Sequence, residues 1–120
     1  MKNYALSVFL LSILMGCSKE DINTSEQEKI AKCYKENPVE ELTWLNDVVK
    51  PFQEPKSGTL KVSSYRFRES IYLVASNGFV SCPSCYIFDC QGQTINQLNI
   101  NYNTFISEAI LIKVFLNQTY

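Results

Sequence analysis

Four cysteines, Cys33, Cys82, Cys85 and Cys90, carry most of the chemistry open to the body of this chain. Cys82-Pro83-Ser84-Cys85 has the spacing at which two thiols can cycle between dithiol and disulfide. That cycle needs one thiol made acidic, by a helix N-terminus or a nearby cation. Here the pair precedes another β-type run, Tyr86-Ile87-Phe88, and no basic residue stands beside it. Four thiolates could instead hold zinc tetrahedrally, but a structural site wants two closely spaced pairs. Cys33 and Cys90 lie far apart in sequence and do not make a second one. The remaining reading is two structural disulfides, with three connectivities open. Removing such a bridge from a small domain typically costs about 2–5 kcal/mol. The expectation is inert bridges with no metal and no cofactor, and thiol–disulfide oxidoreductase activity at Cys82 and Cys85 is the alternative.

No histidine occurs anywhere in the chain. That removes Ser-His-Asp and Cys-His catalysis, the usual imidazole base, and any zinc site with a histidine ligand. Asp89, followed by Cys90-Gln91-Gly92, reads as a turn residue whose carboxylate caps the backbone. Arg66 and Arg68 could meet an anion from one strand, but a solvated face is the commoner arrangement. Tyr65, Phe67, Tyr72, Phe79, Tyr86 and Phe88 could line a groove, yet strand aromatics are more often core and cross-strand pairs. The formal net charge is −1, with lysines and arginines spread out. A nucleic-acid binder should show a basic patch or stripe, so nucleic acid is not expected as a partner. No catalytic constellation emerges, and enzyme activity is not the expectation.

The N-terminus is the most informative segment. Met1-Lys2-Asn3 is a short positive region, and Tyr4 to Met15 is apolar except for Ser7 and Ser12. A run this short cannot span a bilayer core, which needs about 20 helical residues, but it fits the apolar part of a signal peptide. It ends in Leu14-Met15-Gly16-Cys17, which resembles the lipobox of bacterial lipoproteins. That resemblance implies a diacylglycerol on the Cys17 thiol and cleavage of residues 1–16. The small Gly16 leaves the scissile bond open to a membrane-embedded peptidase. Two or three acyl chains anchor firmly where a single chain is marginal. Ser18-Lys19-Glu20-Asp21 follows, and resembles the surface-export signal of Bacteroidota lipoproteins. The expected location is the cell envelope, at the outer membrane, with the periplasmic face open as well as the outward one that this signal favours.

The elements that must position the remaining residues read as α+β. Residues 17–24 form the lipidated cysteine and a polar tether, and 25–120 form one small domain, since 120 residues are enough for one modest core. Ser25-Glu26-Gln27-Glu28 fits a capping box, with Ile30, Cys33 and Tyr34 on one helical face. Asn37-Pro38-Val39-Glu40 predicts a second helix over 38–50, with Asn37 as N-cap. Its apolar stripe is Leu42, Leu45, Val48, Val49 and Phe52, flanked by Trp44. From Leu60 the period becomes that of strands, with a bulge expected between Val62 and Tyr65. Arg68-Glu69-Ser70 predicts a hairpin loop into Ile71–Ala75, and Asn77-Gly78 a turn before Phe79-Val80 and Tyr86-Ile87-Phe88. Leu98, Ile100 and Tyr102 alternate with asparagines and predict a half-buried strand. Ile110, Ile112 and Val114 favour a last strand within 109–116. The sum is one or two N-terminal helices packed on an antiparallel sheet of four or five strands.

A lipobox, a helix with tryptophan, a Tyr-rich hairpin, a cysteine cluster and Phe88-Asp89-Cys90-Gln91-Gly92 occur in that order. The order resembles a group of small uncharacterised Bacteroidota lipoproteins over residues 1–95. The Asn-rich 96–103 stretch departs from that group, which tends to a Gly-rich segment with a further cysteine. The resemblance implies no activity. The functional expectation is a membrane-anchored, non-catalytic binding or accessory module, whose partner is a protein, a glycan or a small molecule.

Overall fold

The structure, a computed structural model, describes the backbone of residues 18–120 and the side chains of 25–120. Residues 1–16 and Cys17 lie outside the described residues, as do the side chains of Ser18, Lys19, Glu20 and Asp21.

Among the described residues four α-helices and four strands run α1 (Ser18–Cys33), α2 (Pro38–Glu41), α3 (Thr43–Val49), β1 (Thr59–Phe67), β2 (Ser70–Asn77), β3 (Ile87–Phe88), α4 (Tyr102–Glu108) and β4 (Ile110–Thr119). The strands form one antiparallel sheet in the order β3-β2-β1-β4. The molecule is therefore α+β with an antiparallel sheet of four strands, as the sequence patterning predicts, and three helices rather than one or two stand ahead of it.

Strand alternation sends successive side chains to opposite faces, and here it separates two clusters. Leu60, Val62, Ile71, Leu73 and Ala75 meet Cys33, Tyr34, Val39, Leu45 and Val49 of the helical layer. Leu45, Val49, Leu60, Val62 and Leu73 are fully buried, so this layer is the main core. The other face is thinner. Phe67, Tyr72, Ile87, Ile95 and Phe105 form its cluster, capped by α4. Phe105 packs its ring against Phe67 at 5.1 Å, Tyr72 at 5.4 Å and Tyr65 at 6.2 Å between centroids.

The bulge expected in β1 between Val62 and Tyr65 lies instead on its partner β4. β1 pairs with β2 without interruption, whereas its register with β4 shifts between Val62 and Ser63 and again between Ser64 and Tyr65. Each shift adds a residue to β4, Phe115 and Ile112 respectively. Both pack against the main core, and Phe115 meets Tyr34 edge-on at 5.0 Å. The extra residues let an edge strand deliver more apolar side chains to one face than strict alternation allows.

Several sequence expectations need correction. Ser25 lies inside α1, so it does not cap that helix's N-terminus. The helix expected over 38–50 starts as predicted, with Asn37 Oδ1 accepting from the Val39 N–H at 3.0 Å. It then breaks at Leu42, whose φ −102° and ψ 108° are extended. The Leu42 carbonyl starts α3 by accepting from Asn46, and the Asn46 side chain donates to the Val39 carbonyl that the break sets free. A one-turn 3-10 helix, Lys50–Gln53, then absorbs Pro51. Phe79-Val80 forms no strand, because Asn77 Oδ1 accepts from the Phe79 N–H and turns the chain.

The strand expected at Leu98–Tyr102 is absent. Asn99 takes φ +58°, a conformation that asparagine tolerates, and Asn101 caps α4 by accepting from the Thr104 N–H at 3.1 Å. The asparagines that looked like the polar half of a strand are turn and cap residues.

Candidate groove on the open face of the sheet

The four cysteines resolve into Cys33–Cys90 and Cys82–Cys85. The first ties the last residue of α1 to the loop after β3, closing 57 residues of sequence. That loop is built as the sequence suggests. Asp89 Oδ1 accepts from the N–H groups of Gln91 and Gln93, both at 2.9 Å. Gly92 sits at φ +89° beneath Trp44, where an added Cβ would lie 3.0 Å from the indole. Asp89 is a turn residue here, and its carboxylate is occupied by backbone donors.

The second disulfide spans a 3-10 turn, Pro83–Tyr86, that opens on Cys82. Ser84 Oγ lies 3.7 Å from Cys82 Sγ and accepts from Asn96 Nδ2 at 3.1 Å. Hydroxyl and amide groups are the polar neighbours of this pair. Both arginines singled out in the sequence are also engaged. Arg66 Nε lies 2.8 Å from Glu26 Oε2, a charge contact without the angle of a hydrogen bond. Arg68 Nε donates to Glu108 at 3.4 Å and its guanidinium stacks on Phe67. Neither forms an open anion site.

The structure instead brings together residues that, apart from Tyr65, sequence reasoning did not single out. On the face turned away from α1–α3, Lys61, Ser63 and Tyr65 of β1 stand beside Ser76 and Val74 of β2 and Ile87 of β3. Tyr102 and Ile106 of α4, with Val80 and Pro83, also line this face. They enclose a groove of about 280 Å³, near the lower end of the range for small-molecule sites.

The register gives this groove a direction. Lys61 pairs with Ser76 at one end, Ser63 with Val74 in the middle, and Ile87 lies beyond Val74. One end thus carries Lys61 and Ser76, while Val74, Ile87 and Tyr65 line the other. Among the described residues Lys61 forms no ion pair and the groove lining holds no carboxylate. Ser63 is 3 % exposed, and its hydroxyl faces the groove with no hydrogen-bond partner among the described residues. Two adjacent serines in mid-strand, Ser63 and Ser64, were the available signal. Ser64 points the other way and accepts from the Tyr34 hydroxyl at 2.9 Å.

A wider and more polar hollow of about 400 Å³ lies beside the Cys33–Cys90 bridge. Its lysines and acids are mixed, and Lys29 is already bonded to Glu69 at 3.0 Å. Among the described residues no group of three or more His, Cys, Asp or Glu is placed to hold a metal, and no helix is long and apolar enough to cross a membrane. Comparison with family models, with curated proteins and with solved structures found no match to this chain.

Proposed function

We propose that this chain is an envelope lipoprotein, anchored through a lipid on Cys17, whose small α+β domain acts as a non-catalytic binding module. The observation that carries the anchor is Leu14-Met15-Gly16-Cys17 at the end of an apolar run too short to span a bilayer. Ser18-Lys19-Glu20-Asp21 supports placement at the outer membrane, facing outward. The binding role is supported by the groove, which has convergent polar groups at one end and an apolar floor at the other. It is supported also by the chemistry of the cysteines, which are paired, with only hydroxyl and amide groups as the polar neighbours of Cys82–Cys85.

Replacing Cys17 with Ala tests the anchor. The expected result is unprocessed precursor that takes up no labelled fatty acid and is lost from the membrane fraction. A C17A variant that is still acylated, or that keeps normal membrane retention, overturns the anchor. Pull-down from envelope extracts with the intact chain tests the module. Retention of no protein, glycan or lipid argues against a binding role.

A further inference from the structure

We propose that the groove on the open face of the sheet binds a small free carboxylate with an aliphatic tail. The carboxylate meets Lys61 and Ser63, and the tail lies along Val74, Ile87 and Ile106. This names the occupant for the binding module and rests on that part of the proposed function, not on the lipid anchor.

Three observations converge on this ligand. The only charge in the lining is the Lys61 ammonium, with no ion-pair partner among the described residues. A groove whose sole charge is positive favours a monoanion over a neutral or cationic guest. Next, a hydroxyl on a residue as buried as Ser63 ordinarily has a partner, and here it opens onto the groove two residues along the same strand from Lys61. A carboxylate accepts from both an ammonium and a hydroxyl, and such charge-assisted bonds are the strong ones. Finally, polarity falls along the groove from Lys61 and Ser76 toward Val74 and Ile87, which matches a molecule charged at one end only. Ile106 is 57 % exposed on α4 and loses water when a tail packs beneath it.

A short ligand is favoured over a long one by the volume of about 280 Å³. A diacid would place its second charge on Val74 and Ile87, where nothing neutralises it. A dianionic phosphate would find one cation in place of the clamp it needs.

The test is equilibrium dialysis of radiolabelled octanoate, with octanol as the uncharged control. It uses the full chain as its host processes it, held in phospholipid nanodiscs, with empty nanodiscs as the blank. Octanoate should saturate at one site per chain and bind at least tenfold more tightly than octanol. Lys61→Gln should weaken octanoate on the order of tenfold, the loss of one charge-assisted bond, and leave octanol unchanged. Unchanged octanol binding also shows that the groove of that variant is intact. Ile106→Glu, at an exposed position, should weaken both compounds by setting a charge against the tail. The proposal is overturned by octanoate that does not saturate, by octanol binding equally well, or by indifference of octanoate to Lys61→Gln. Failure of octanoate together with a partner retained from envelope extracts sinks the ligand assignment and spares the binding module. Failure of both sinks the module as well.

Discussion

Tyr34 and Ser64 show how much one polar contact can decide in a core this small. The Tyr34 hydroxyl donates to Ser64 Oγ across the boundary between α1 and the sheet, and Ser64 is fully buried. Burial pushes the Tyr34 phenol up from its ordinary range, and the bond to Ser64 pulls only partly against it. Tyr34→Phe should therefore leave a buried hydroxyl unpaired and cost about 1–3 kcal/mol in urea unfolding. Adding Ser64→Ala should return part of that loss, because both partners are then gone. A double variant no better than the single one would show that the unpaired Ser64 hydroxyl is not the source of the loss. Glu41 makes the complementary case at the surface. Its carboxylate accepts from the N–H groups of Lys35 at 2.6 Å, Glu36 at 2.7 Å and Asn37 at 2.7 Å, wrapping the turn between α1 and α2. Those three donors hold its pKa below the ordinary carboxylate value, the Lys35 N–H foremost. A lowered folded-state pKa means a contribution complete above the unfolded-state value and lost as pH falls through the folded one. Glu41→Gln should be less stable than the parent near neutrality. Thermal melts should show that gap closing as pH drops from about 5 through the lowered pKa. A gap independent of pH would place the effect elsewhere.

At the scale of elements, the two disulfides do unequal amounts of stabilising. Cys33–Cys90 closes a long loop and holds α1 to the sheet, while Cys82–Cys85 closes a single turn. On the chain-entropy account the long bridge is worth about 4 kcal/mol and the short one about 2 kcal/mol. Replacing Cys33 and Cys90 together with Ala should lower the urea midpoint about twice as much as replacing Cys82 and Cys85, and equal effects would contradict this ranking. The pairing could not be derived from the sequence, since three connectivities were open. The elements themselves were legible where one pattern dominated: the stripe through Leu45 and Val49, the cap at Asn37, the hairpin at Arg68-Glu69. They were illegible where short polar residues admit two readings. Asn99 and Asn101 look like the outward half of a strand until φ and capping are known, and the core residue Ile95 falls outside the apparent alternation. The break at Leu42 is matched by Asn46 reaching back seven residues to the Val39 carbonyl, a side-chain contact that helix propensity does not encode. The groove escaped for the same reason. Lys61, Ser63, Val74, Ile87 and Ile106 come from three strands and a helix, and only the sheet order makes them neighbours.

For the whole molecule, the sheet order leaves β4 at an edge, with its outer row of backbone groups facing away from β1. That strand is ten residues long, and Ile110, Leu111 and Val114 are 53 %, 48 % and 38 % exposed. A long, flat, apolar edge is a template for pairing with another chain, and proteins blunt such edges with bulges and with lysine. Both devices are present. The two register shifts against β1 kink the strand at Ile112 and Phe115, and Lys113, the one charged residue from Ile110 to Thr119, sits between them. Lys113 lies over the Phe115 ring at 5.5 Å, so its charge stays at the surface while its stem covers apolar area. Replacing it with Ile creates an uninterrupted run, Ile110 to Leu116, of β-branched, leucine and phenylalanine residues without charge, the composition that favours stacked strands. Thermodynamic stability should change little, because an exposed surface substitution is usually worth less than about 0.5 kcal/mol. What should change is association. Lys113→Ile should scatter light at concentrations where the parent is clear, with a lag that shortens as protein concentration rises. Lys113→Glu, which keeps a charge at the edge, should stay clear. If Lys113→Ile remains as soluble as the parent, the bulges alone protect the edge. If Lys113→Glu aggregates too, the lysine acts through Phe115 and not as a gatekeeping charge.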